Sequence, residues 1–202
     1  MLKLPFGNEE QKRLLNIKNT THANESLSSY SALAELIADK PSADLTIKRA
    51  PHGKPYFPSI PLPFSISHSV SIAVVALNES QQGSIGADIE FEREGTSYLS
   101  IAKRYFTDEE YQSIRDSGNG YTKFLRIWTA KEAYSKMLGT PLAENIKNAV
   151  PSKNLRQFEL ALGNRKAYLS VCCDRPQFNN EDITILSKCK ELDIHEYRKL
   201  QN

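Results

Sequence analysis

The longest helical pattern in the chain carries an acid on its apolar side, which constrains what must be built around it. Tyr121 to Leu138 reads as one helix, closed by Gly139 and Pro141. Glu132 falls on the stripe of Leu125 and Trp128, seven and four residues earlier, the side a helix turns toward its neighbours. A carboxylate there is costly unless it is paired or bound to a metal. Lys136 lies one turn on, but such a pair on an exposed helix contributes only about 0.2–0.5 kcal/mol. That gain does not explain an acid beside a tryptophan.

A second acidic feature supplies the missing context. In Gly86-Ala87-Asp88-Ile89-Glu90 the two acids are at i and i+2 of a strand-like segment, so both leave one face while Ile89 points into the core. Alone, this is the polar face of an edge strand. Together with Glu132 and Lys136 it becomes three carboxylates and an ammonium, the set that a hard divalent cation and a phosphorylated substrate require. The expectation is a magnesium-dependent enzyme acting on a pyrophosphate. Earlier in the chain, Gly53-Lys54-Pro55 and Ser67-His68 form another constellation, with Arg49 close by. A glycine lets backbone approach an anion, and a fixed lysine supplies charge.

The spacing predicts a helix over Leu27 to Ala38, ended by Pro41, and strands over Leu45 to Lys48, Phe64 to Ser69, Ser71 to Leu77 and Ser84 to Glu90. Phe64 to Ser69 alternates apolar and polar, as a half-buried strand does. Helices follow over Tyr98 to Phe106 and from Thr107, where Thr107-Asp108-Glu109-Glu110 has the form of a capping box. Phe158 to Leu162 and Lys166 to Val171 flank Gly163-Asn164, a hairpin signal. Asp182 to Cys189 reads as a strand and Glu191 to Leu200 as a terminal helix. At 202 residues this gives an α+β chain of two small lobes, 1–84 and 85–202, with the acids at the seam.

The motifs, in their order, resemble the 4′-phosphopantetheinyl transferases, specifically the two-lobed single-chain group. The matching segments are Gly53-Lys54-Pro55, Phe64 to Ser69, Ile85 to Glu90, Arg104-Tyr105-Phe106 and Trp128 to Lys136. The resemblance implies similar lobes related by pseudo-two-fold symmetry. It also implies transfer of the phosphopantetheine arm of coenzyme A to a serine of an apo acyl or peptidyl carrier protein, releasing 3′,5′-ADP. By motif position Asp88, Glu90 and Glu132 would hold magnesium, and Lys136 would contact the phosphates. Lys54, Ser67 and His68 would bind the adenosine end, with His68 near the 3′-phosphate. Glu110 would take the serine proton, although the capping box is reason enough for that acid. The family usually has a basic residue on the first helix, whereas Glu25 to Asp39 has none; Lys12, Arg13, Lys48 or Arg49 would substitute.

Composition narrows the classes. With 26 basic against 24 acidic residues the net charge is +2, which argues against nucleic acid as a partner. No apolar run is long enough for a bilayer, and the opening residues lack a signal-peptide core, so a cytoplasmic protein is expected, and the two-lobed resemblance implies a monomer. Cys172, Cys173 and Cys189 have no zinc spacing and read as buried thiols. Lys103, Arg104, Lys123 and Arg126 are candidates for meeting an acidic carrier. Two alternatives stand beside the transferase: another magnesium-dependent phosphohydrolase or nuclease, and a non-catalytic module that binds carrier proteins.

Overall fold

The computed structural model describes residues 4–40, 44–70, 72–80, 82–93, 95, 97–175, 178 and 183. Two helices open the chain, α1 (Gly7–Leu15) and α2 (Thr20–Leu36). The expected helix over Leu27 to Ala38 therefore starts seven residues earlier, at Thr20. Asn19 sets that start, its side-chain carbonyl accepting the His22 N–H at 2.9 Å. The stripe α2 buries includes Ala23, Ser26, Ser29 and Ser31 beside Leu27, Tyr30 and Leu33, so its serines disguise its period. α1 buries Leu14 and, unusually, Glu10, and so shows little apolar pattern.

Two short strands follow, β1 (Lys48–Arg49) and β2 (Pro55–Tyr56), paired antiparallel around the Gly53 turn. The strand expected over Leu45 to Lys48 is thus confined to its last residue and Arg49. β3 (Phe64–Ser69) and β4 (Ile72–Leu77) form an antiparallel hairpin closed by the Ser69–Ile72 pair. β5 (Ile85–Phe91) begins the second half of the chain, followed by α3 (Tyr98–Tyr105), α4 (Asp108–Arg115), α5 (Gly120–Leu138) and the short α6 (Leu142–Asn145). β6 (Leu155–Leu162) and β7 (Arg165–Cys173) turn at Gly163, whose φ of +61° suits the hairpin. The sheet order is β5-β7-β6, all antiparallel, so among the described residues β5 has one edge without a paired strand. The mixed helix and sheet content agrees with the α+β expectation. Apart from Ile183, the strand and helix expected after Asp182 lie outside the described residues, as does Cys189.

The capping box at α4 forms as read. Thr107 Oγ1 accepts the Glu110 N–H at 3.2 Å, and Glu110 Oε2 accepts the Thr107 N–H at 3.0 Å. Cys172 and Cys173 are both buried thiols outside any disulfide, and burial pushes the Cys172 thiol up to about 12, leaving it unreactive. No described helix is long and apolar enough to cross a membrane.

One core packs α1, α2 and β3 through Phe6, Leu27, Leu33 and Phe64. A second lies under the β5-β7-β6 sheet around Ile85, Ile89, Leu169 and Val171. The β3–β4 hairpin serves both. Val75 and Leu77 pack on the first core, while Ile72, Val74 and Ala76 pack on the second, as the strand's alternation allows. α5 lies across β5 at Gly86, where a Cβ would run into the Ala133 carbonyl and the Met137 amide. Gly86→Ala is expected to push α5 off β5 at a cost of about 1–3 kcal/mol, read as a lower thermal midpoint. An unchanged midpoint would show that the two backbones are not held in contact there.

Candidate active site

The site begins with the unpaired edge of β5. In an antiparallel strand alternate N–H groups point away from the neighbour, and on β5 those of Ala87 and Ile89 meet serine hydroxyls of β3. Ser65 Oγ accepts from Ala87 N–H at 3.0 Å, and Ser67 Oγ from Ile89 N–H at 3.3 Å. Ser65, Ser67 and Ser69 stand on one face of β3, each only 4% exposed. Both faces of β3 are therefore covered: its serine face is buried, and on the other Phe64 is buried in the first core while Ile66 and His68 are half-buried. Satisfied hydroxyls are tolerated where bare ones are not.

The same hydroxyls orient the acids. Ser67 Oγ donates to Asp88 Oδ1 at 2.8 Å and accepts from Lys136 Nζ at 3.1 Å, so with the Ile89 amide its one proton and two lone pairs are all used. Lys136 Nζ also reaches Asp88 Oδ1 at 2.7 Å. Lys136 therefore pairs with an acid on β5 rather than with Glu132 one turn back on its own helix, and Gly86 lets the strand come that close. Ser69 Oγ donates to Glu90 Oε2 at 2.8 Å, and Arg93 reaches the same oxygen at 3.1 Å. The Glu132 carboxylate makes no hydrogen bond or ion pair to another described side chain. Burial pushes its carboxyl above the usual range, Asp88 and Glu90 add to the rise, and Lys136 opposes it. Glu90 is also pushed up, chiefly by burial, with Ser69 pulling the other way.

These side chains converge on a cavity of about 340 Å³ lined by Ile66, Ser67, His68, Asp88, Glu90, Trp128, Glu132 and Lys136. Trp128 belongs to an aromatic cluster, its ring centroid 5.9 Å from Phe124 and 6.3 Å from Phe106. Among the described residues no three His, Cys, Asp or Glu side chains are arranged, as they stand, to hold a metal ion. The donor chemistry nonetheless fits a hard cation. Asp88 Oδ2 is buried without a hydrogen-bond partner, and the unpaired Glu132 carboxylate lines the same space.

Three expected site residues lie elsewhere. Lys54 Nζ donates to the Met137 carbonyl at 2.9 Å and the Ile85 carbonyl at 3.2 Å, tying the C-terminal end of α5 to β5. A cation at those carbonyls complements the helix dipole, and burial lowers the ammonium's pKa. Arg49 is held by Glu10 Oε1, the Tyr30 hydroxyl and the Gly53 carbonyl, each at 2.8 Å. Together with Arg13, Lys48 and Glu9 it lines a separate cavity. Glu110, besides its capping bond, pairs through Oε1 with the buried Lys131 at 2.8 Å and does not line the active-site cavity. Arg93 and the structural work of Ser65 and Ser69 were not anticipated. The i+3 spacing of Arg93 from Glu90, and the i+2 spacing of the serines, were the available signals.

A family model described as the 4′-phosphopantetheinyl transferase superfamily matches residues 84–191. The chain belongs to that superfamily. The match takes in Asp88, Glu90, Glu110, Glu132 and Lys136 but stops short of β3. Among transferases of the superfamily, the chain is 39% identical over 83 residues to the 4′-phosphopantetheinyl transferase HetI of Nostoc sp., covering 40% of this chain and 34% of that one. It is 29% identical over 156 residues to the L-aminoadipate-semialdehyde dehydrogenase-phosphopantetheinyl transferase of Xenopus laevis, covering 69% and 51%. With the 4′-phosphopantetheinyl transferase gsp of Aneurinibacillus migulanus it shares 26% over 173 residues, covering 81% and 68%. The chain thus spans about a third to a half of the length of the first two relatives.

Ser67 joins the edge of β5, Asp88 and Lys136, so its removal should be felt in both fold and site. Ser67→Ala is expected to leave the Ile89 amide unsatisfied at a cost of about 1–3 kcal/mol, measured by denaturant unfolding. A stability within about 0.5 kcal/mol of the parent would mean that the serine row does not hold the edge.

Proposed function

We propose that this chain transfers the 4′-phosphopantetheine arm of coenzyme A to a serine hydroxyl of an apo carrier protein and releases 3′,5′-ADP. The observation that supports it best is the cavity in which Asp88, Glu90 and Glu132 face Lys136, within the segment matched by the family model. In the reaction the serine Oγ forms a bond to the β-phosphorus of coenzyme A, the serine loses its proton, and the P–O bond to 3′,5′-ADP breaks. Most of the catalysis in such a transfer is positioning and charge neutralisation.

Asp88 Oδ2, Glu90 and Glu132 are the groups that would hold magnesium, which when bound supplies positive charge against the pyrophosphate oxygens. Lys136 is already aimed at this space by Asp88 Oδ1 and Ser67, and its ammonium would meet the phosphates and stabilise the departing one. Ser67 and His68, on the rim, are the side chains available to the adenosine end. Lys54 acts at one remove by fixing α5 on β5, and Arg49 by fixing α1 on β1. Exposed Lys103, Arg104 and Lys123 would steer an acidic carrier, whereas Arg126 is engaged with Glu159 at 3.2 Å. We read the chain as a cytoplasmic monomer of two lobes, 1–84 and 85–202, serving a carrier of fatty-acid, polyketide or nonribosomal-peptide synthesis.

Glu110 enters this reading through α5. Both its oxygens are committed, one to the Thr107 amide and one to Lys131, whose Nζ also donates to the Asn148 carbonyl at 2.9 Å. It thus sets the helix that carries Glu132 and Lys136. Glu110→Gln keeps the cap and loses the ion pair. A lower melting temperature with kcat within about threefold is expected, threefold being about 0.7 kcal/mol. A loss of kcat of about a hundredfold with unchanged melting would make Glu110 the group that takes the serine proton.

The direct test is intact-mass spectrometry of an apo acyl carrier protein incubated with this chain, coenzyme A and magnesium, with and without EDTA. A gain of about 340 Da, the mass of one phosphopantetheine arm, is expected, and EDTA should abolish it. No gain with several unrelated carriers would overturn the transferase reading. A gain that survives EDTA would overturn the metal assignment alone.

A further inference from the structure

His68 reaches the cavity from β3, and a helix from outside the acidic cluster holds it from behind. Its Nδ1 lies 3.1 Å from Glu25 Oε2, with the two side chains 30% and 13% exposed. Glu25 is on the second turn of α2, and His22, three residues earlier on the same face, brings its ring centroid to 5.4 Å from that of His68. The carboxylate is largely buried, and it stands where it can accept from an Nδ1–H of the ring.

Holding the ring has a chemical consequence. A neutral imidazole has one donor and one acceptor nitrogen, and the partner of one decides the state of the other. Burial holds His68 below the ordinary imidazole value; the Glu25 charge opposes this, while His22 and Lys136 reinforce it. The ring is therefore neutral at slightly alkaline pH, and its tautomer is open to selection. An acid at Nδ1 keeps the proton there and leaves Nε2 as the polar atom that His68 offers a ligand. Should Nε2 gain a proton against an anionic group, the same carboxylate balances the new charge.

We propose that Glu25 is a positioning residue that fixes the orientation and tautomer of His68 for the adenosine end of coenzyme A. The inference rests on the coenzyme A reading for its ligand and on the Glu25–His68 contact for its mechanism. Two measurements on the full chain separate these. The first is long-range ¹H–¹⁵N correlation NMR of the imidazoles at pH 7.5, with the His68 signals assigned by their loss in His68→Ala. The second is the calorimetric Kd for coenzyme A in the parent, Glu25→Ala, Glu25→Gln and the Glu25→Ala/His68→Ala double variant.

The parent is expected to show the Nδ1–H tautomer. Glu25→Ala should shift His68 toward Nε2–H and weaken coenzyme A by about three- to tenfold, the worth of one net hydrogen bond. Glu25→Gln, whose amide oxygen still accepts from Nδ1, should keep the tautomer and stay within about twofold. In the His68→Ala background, Glu25→Ala should add nothing. An unchanged tautomer in Glu25→Ala, or an equal loss of affinity without His68, would overturn the proposal. If the parent itself bound no coenzyme A, the ligand reading would fall, while the tautomer in the parent and Glu25→Gln would still decide what Glu25 does.

Discussion

Among the described residues the outer edge of β5 is closed by side chains rather than by another strand, and both the fold and the site depend on that substitution. Ser65 and Ser67 take the outward amides of Ala87 and Ile89 that a neighbouring strand would otherwise bind. A ladder of backbone bonds would have used carbonyls and left the side chains of both strands free of this duty. Hydroxyls have protons to give as well, and Ser67 and Ser69 give theirs to Asp88 and Glu90. The β3–β5 seam is therefore at once a packing interface and the orienting layer of the acidic cluster. Loosening it would disturb the carboxylates before it unfolded either core.

The acids themselves are unequally provided for. Asp88 has Ser67 and Lys136, Glu90 has Ser69 and Arg93, and Glu132 has only the field of its neighbours. Lys136 and Arg93 act as internal counter-ions that keep two buried or half-buried carboxylates in place. Neither satisfies the whole cluster, since Asp88 Oδ2 is without a partner and burial works against charge on Glu90 and Glu132. Added positive charge in this cavity would relieve like-charge repulsion, and an accompanying anion would find Lys136 at hand. A cation and a polyphosphate entering together satisfy both halves of that imbalance, which neither does alone.

What was legible in the sequence follows from regular geometry. Asp88 and Glu90 share a face by strand period, and Glu132 and Lys136 share one by helix period, so their meeting needed only that α5 pack on β5. Gly86 in the acidic motif is what lets it do so. Lys54 and Arg49 stand apart from the cavity because a long basic side chain takes whatever acceptor tertiary packing offers, here carbonyls of α5 and β5 and a buried glutamate. The alternation of β3 was legible, but the burial of its serine face was not. Polar residues are assumed to face water, and nothing local shows that an unpaired strand edge awaits those serines.

The hairpin that carries the serine row is fixed from both sides, which bears on how precisely a ligand can be held. β4 sends Val75 and Leu77 into the core beneath α2 and Ile72, Val74 and Ala76 into the core beneath β5 and β7. β3 is therefore neither free to follow one half of the chain nor able to drift between them. Its side chains meet β5 at Ser67 and α2 at His68, so consecutive residues report to opposite partners. A site assembled on strands and a helix held in this way keeps its geometry without relying on loops. The part with fewest internal constraints is then Glu132, whose position is set by the backbone of α5 and by charge alone, and it is there that an incoming group has most to stabilise.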